Sequence, residues 1–132
     1  MRQRPMLGEA EAGAILDAAC AHARSASLEV SVAVVDEAGI LLALRRLDGA
    51  RLHTPEAAML KARTAAITRT ATAALEDQVR ADPALLAFPG RLPLAGGVPL
   101  LWQGVVVGGI GSSGGSPEAD LSVCAAGVAA LA

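Results

Sequence analysis

The chain has 132 residues, with 11 Lys or Arg against 13 Asp or Glu and a formal net charge of −2 at pH 7. That length fits one domain, and a near-neutral chain without a basic stripe excludes long-range attraction for nucleic acid or an anionic membrane. It is 53% hydrophobic with a mean hydropathy of +0.47, yet holds one Phe, one Trp and no Tyr, so alanine and valine must build the core.

Leu7 to Ser27 suits a helix, with Leu7, Ile15, Ala18, Ala19 and His22 at helical spacing and Glu9, Glu11, Asp17 and Arg24 on the other side. Leu28 to Val35 alternates Val30, Val32 and Val34 as a strand does, and Asp36-Glu37-Ala38-Gly39 turns it back into a second, antiparallel strand from Ile40 to Leu47. Arg45 and Arg46 end that strand, and Asp48-Gly49 breaks it. Thr54-Pro55-Glu56 offers a hydroxyl cap, a proline at the first helical position and a first-turn acid, predicting a helix from Pro55 to about Thr70. A shorter helix is expected over Ala73 to Arg80. Asp82-Pro83, Phe88-Pro89-Gly90 and Pro93 then make an irregular crossing suited to covering a pocket.

Val98, Leu100 and Val105 to Val107 flank Gln103-Gly104 and predict a hairpin central to the sheet. Gly108 to Gly115 reads as a glycine-serine loop. Ser116-Pro117-Glu118 repeats the helix-opening grammar, and the last helix runs toward Ala132. The order α, β, β, α, α, loop, β, β, α predicts an α+β domain, an antiparallel sheet covered by helices.

Gly109-Ile110-Gly111-Ser112-Ser113-Gly114 matches the dinucleotide pattern G-x-G-x-x-G. A nucleotide site would need a return strand and a ribose-binding acid some 20 residues on. Only one helix follows, and Glu118 and Asp120 already occupy the positive end of its dipole. The glycines are therefore assigned to turn geometry, subunit packing or a different ligand. No apolar run suits a membrane span and no signal-peptide core follows Met1, so a cytoplasmic protein is expected. So much apolar surface in a short chain also predicts a homo-oligomer. Cys20 and Cys124 lie far apart without CxxC spacing and are expected as buried reduced thiols, a disulfide or a metal pair being the alternatives.

Several segments together resemble the GlcG/HbpS family of haem-degrading or haem-binding domains. They are Val34-x-Asp36-x-x-Gly39, Asp48-Gly49-Ala50, Lys61-Ala62-x-Thr64-Ala65, Gly96-Gly97-Val98-Pro99, the set Gly104, Gly108, Ile110, Gly111, Ser113 and Gly114, and Pro117-Glu118-x-Asp120. The resemblance covers nearly the full chain. It implies an α/β sandwich with profilin/PAS-like layering and a five-stranded antiparallel sheet, assembled as a dimer or octamer. It also implies small-molecule binding, with haem as a cofactor, a corrinoid or a related ligand. Where many relatives carry a Phe-Gly pair this chain has Thr68-Arg69, which favours an anion over an apolar macrocycle, and Gln103-Gly104 stands where Asp-Gly is usual.

Without tyrosine, the haem-ligating types are His22, His53, Met59, Cys20 and Cys124. His53, in the loop before the second helix, is the leading one and also the sole candidate metal ligand, unless it is an ordinary exposed loop histidine. His22 on its alanine-rich helix reads as a satisfied or exposed side chain. Lys61, flanked by Met59, Leu60, Ala62 and Ala65, is the candidate catalytic residue, as acid-base group or anion clamp, or a lysine laid over the sheet beside an acid. Arg45, Arg46, Arg63 and Arg69 could add carboxylate recognition. The candidate ligand-binding set is Asp48, Gly49, His53, Lys61, Arg69, Gly96, Gly97, Gly111, Ser113, Gly114 and Glu118. Three functions remain: an oligomeric binding module, a small lyase or isomerase acting on an anionic metabolite, and a scaffold subunit.

Overall fold

A computed structural model describes all 132 residues. Its helices are α1 (Glu9–Ser25), α2 (Thr54–Thr68), α3 (Thr72–Ala81) and α4 (Pro117–Ala129). The strands are β1 (Ser31–Asp36), β2 (Leu41–Arg46), β3 (Gly97–Trp102) and β4 (Val105–Ser113). They form one antiparallel sheet in the order β2-β1-β4-β3.

The fold is α+β as expected, but the sheet has four strands and not five. The crossing from Asp82 to Ala95 supplies no strand: Pro83, Pro89 and Pro93 cannot donate to a ladder, and Pro83–Ala87 winds into a 3₁₀ turn instead. Both β2 and β3 are edges, so of the predicted hairpin only β4 is central. Gln103 and Gly104 both take positive φ, 49° and 79°, as a two-residue hairpin turn matching the strand twist requires.

The two faces of the sheet differ in depth. Val30, Val32, Val34, Leu100 and Ile110 point toward α1 and α4 into a cluster of 16 buried residues. Ala33 and Val35 point the other way and meet Ala58, Ala62 and Ala66 of α2 in a cluster of five. On that face the helix lies almost on the backbone of β4. A Cβ at Gly109 would collide with Ala62 O, and one at Gly111 with Ala58 O. The predicted glycine-serine loop is therefore mostly strand: β4 runs on through Ser113, and only Gly114, at φ +123°, and Gly115 turn the chain.

Ser116 caps α4 as predicted, its Oγ accepting from Ala119 N at 3.1 Å. Thr54 does not cap α2. It is the first helical residue, buried, and its hydroxyl donates to Arg51 O at 2.7 Å and lies 2.8 Å from Ser31 Oγ, which ties the helix start to β1. No helix is long and apolar enough to cross a membrane.

Candidate functional site

Lys61 leaves α2 on the face toward the sheet, where an ammonium group needs a polar destination. It finds one past the start of β3. Lys61 Nζ donates to Ser112 O at 3.0 Å and lies 3.5 Å from Asp120 Oδ2 at the first turn of α4. Gly96 and Gly97 make the passage. Gly96 has φ +120°, and a Cβ there would lie 3.0 Å from Lys61 Nζ and 3.2 Å from Asp120 Cβ. Edge protection comes from Thr72, whose hydroxyl accepts from Gly97 N at 2.8 Å.

Asp120 is 2% exposed and Lys61 6%. Asp120 Oδ1 also accepts from Gly115 N and from Ser112 Oγ. Burial pushes the Asp120 carboxyl above the ordinary carboxylate value, an effect that the attraction of Lys61 and the Gly115 N–H opposes. One turn further along α4, Cys124 Sγ donates to Gly96 O at 3.2 Å, and burial pushes its thiol up to about 12. Lys61 opens onto none of the three main concavities. Its geometry is that of a buried cation joining α2, β4 and α4.

The structure gathers Lys61, Gly96, Gly97 and Gly111 in this region and disperses the other predicted residues. Gly49 packs against the Glu29 carboxylate, and Gly114 against the Glu29 backbone. Asp48 lines an open concavity of about 280 Å³ with Arg24, Arg45 and Arg46, where Arg45 is paired with Asp17 at 3.0 Å. His53 is exposed at the α2 N-cap, and no three His, Cys, Asp or Glu side chains lie close enough together to hold a metal. Arg69 is exposed at the α2 C-cap, Glu118 is exposed on α4, and Ser113 is buried opposite Ser31. His22 is half-buried, 3.1 Å from Ser122 Oγ.

Both cysteines are free and buried, and burial raises the thiol of Cys20 as well. Ellman's reagent is expected to find no fast-reacting thiol in the native protein and two after denaturation. A native fast phase would contradict the packing of α1 and α4.

An apolar groove has no counterpart among the site residues singled out from the sequence. A groove of about 480 Å³ lies between Pro5, Met6 and Leu7, the start of α1, Trp102 on the hairpin, and Leu131. Glu11 is its one charged wall residue. Arg4 holds the N-terminal arm in place by donating to Val106 O at 3.0 Å. Met6 near the N-terminus and the lone Trp102 are the signals the sequence offers, but only the fold brings them and Leu131 together.

The fold and these features define a small α+β domain with helices on both sheet faces, a buried Lys–Asp pair and an apolar groove at its rim. The family described as haem degrading protein HbpS-like matches residues 7–129, and the chain belongs to it. Protein GlcG of Escherichia coli K12 is 35% identical over 114 residues, spanning 86% of this chain and 85% of GlcG. A crystal structure of a double mutant of Streptomyces reticuli HbpS matches with a TM-score of 0.93 at 35% identity, covering all of this chain and 91% of that one. The PduOC–haem complex matches with a TM-score of 0.88 at 30% identity over 96% of each chain.

Proposed function

We propose that this chain is a small-molecule-binding domain that takes a planar, largely apolar ligand, haem foremost, in the groove between α1, the hairpin and Leu131. The groove itself carries the reading: its volume of about 480 Å³ lies within the range of ligand pockets, and its wall is apolar apart from Glu11. The relative solved with haem supports the ligand class. The residues fit such a group. Leu7, Ala14 and Trp102 offer apolar and aromatic surface, and Met6, 76% exposed, is the one iron-ligating side chain in the wall. Bound haem would supply iron coordination and redox chemistry; the chain's part is to hold its face away from water.

An enzyme built on Lys61 has less support, because the amine is sealed between Ser112 O and Asp120. Self-association belongs to the proposal: Leu41, Leu44, Leu52 and Leu101 stay exposed, two of them on the free edge strand β2, and would be covered by a second copy. A cytoplasmic setting belongs to the proposal as well, in keeping with two buried, unpaired cysteines.

Haemin titrated into the pure protein is expected to give a saturable Soret shift. Ala14→Glu, a charge placed in the groove wall at an exposed helix position, should weaken it by roughly tenfold or more, while His53→Ala leaves it intact. An unsaturable shift contradicts the reading, as does one lost with His53→Ala and kept with Ala14→Glu.

A further inference from the structure

A second cavity lies on the opposite face of the sheet, under the Pro-rich crossing. It measures about 140 Å³ and is bounded by the end of α2, by α3 and by the 3₁₀ turn. Its polar atoms are few, and most are already engaged. Thr64 Oγ1 donates to Leu60 O and accepts from Leu92 N, while Thr68 Oγ1 donates to Thr64 O. One shielded donor without a protein partner remains, the Nε of Arg91, while Gln78 stands exposed at the rim.

Arg91 is held in an unusual way for a cation. Its guanidinium carbon stacks 3.6 Å from the centroid of the Phe88 ring, and no carboxylate pairs with it. Its Nε is shielded from solvent with no hydrogen-bond partner. A buried guanidinium N–H without an acceptor is costly, and its planar fork matches a carboxylate. Stacking on Phe88 fixes the plane of the fork, which no protein carboxylate engages. No acid lines the cavity, and the rest of the wall is aliphatic: Leu75, Val79, Leu85, Leu86 and Pro93.

We infer that this cavity binds a short aliphatic carboxylate, its anionic end on Arg91 and its tail against Leu75, Val79 and Leu86. The cavity volume sets the upper size, well under that of a drug-sized ligand. An inorganic anion would leave the aliphatic wall unused, and a neutral amide would leave Arg91 unpaired. The departure at Thr68-Arg69 pointed toward an anion, but Arg69 lines none of the main concavities and the cation in the wall is Arg91. The inference is independent of the haem groove.

Phe88 is the only phenylalanine and Trp102 the only tryptophan, so each cavity has its own spectroscopic reporter. With phenylalanine ring-labelled protein, sodium butyrate is expected to move the single Phe88 signal saturably and leave the Trp102 indole unmoved. Butyramide and inorganic phosphate should each bind at least roughly tenfold more weakly, as should butyrate to Arg91→Gln. Gln78→Glu, an exposed position on α3 where folding is not at stake, should weaken butyrate by placing a like charge at the cavity. Equal shifts from butyramide or phosphate overturn the inference. So does butyrate binding that persists in both variants, or a butyrate effect at Trp102 alone.

Discussion

Gly111→Ala is expected to destabilise the domain by about 3 kcal/mol, because overpacking is most costly where the obstructing atoms cannot move. A Cβ at that position would run into Ala58 O and lie 2.7 Å from Ala62 N, rigid backbone atoms in the middle of α2. The helix would have to lift off β4, losing the contacts of Ala58, Ala62 and Ala66 with Ala33 and Val35. Gly13→Ala supplies an opposite sign. Nothing lies within 4 Å of a Cβ there, so the same chemical change inside α1 should stabilise by about 0.5–1 kcal/mol through helix propensity. Urea denaturation of the two variants side by side checks the pair. A Gly111→Ala midpoint equal to wild type would show that α2 does not rest on the strand backbone.

Lys61→Met has the second large effect, about 3–5 kcal/mol, since removing one partner of a buried pair leaves the other charge uncompensated. Asp120 would keep Ser112 Oγ and Gly115 N but lose its only counter-charge. Adding Asp120→Asn should recover much of the loss. The pH dependence follows from Asp120, whose folded carboxyl sits above the ordinary value of 3.8 because of burial. The folded state thus holds a proton that the unfolded chain releases, so this contribution is full below pH 3.8 and is lost as pH rises through the folded value. Without Lys61 that window widens. The deficit of Lys61→Met should be smallest near pH 4 and grow toward pH 7, as denaturation at both values would reveal. A pH-independent deficit would mean that Asp120 is not carrying it.

Local signals in the sequence are legible where a backbone conformation depends on the nearest residues. Gln103-Gly104 turns because both residues adopt positive φ, and Ser116 caps α4 through its own hydroxyl. Thr54 carries the same grammar as Ser116, but the nearby Ser31 and Arg51 O engage its hydroxyl, which pattern alone does not reveal. Gly109 and Gly111 read as loop residues, because a glycine run suits a sharp turn, and glycine also weakens a strand. Here the close approach of α2 outweighs that cost, and the cause lies some 50 residues away in the chain. Lys61 stands out among alanines. Its partner Asp120 does not, since only the fold joins positions separated by 59 residues, and the sequence points to Glu118 instead. The groove and the Arg91 cavity depend likewise on segments that meet only after folding.

The location of the ligand is the central claim, and one titration addresses it. Gallium protoporphyrin, a diamagnetic stand-in for haem, added to isotope-labelled protein should saturably move the single Trp102 indole N–H signal and the amides of Ala10, Ala14 and Leu131. Signals of Asp48, Gly49, His53 and Gly114 should stay in place. Shifts centred on those four residues, with Trp102 unmoved, would contradict the account.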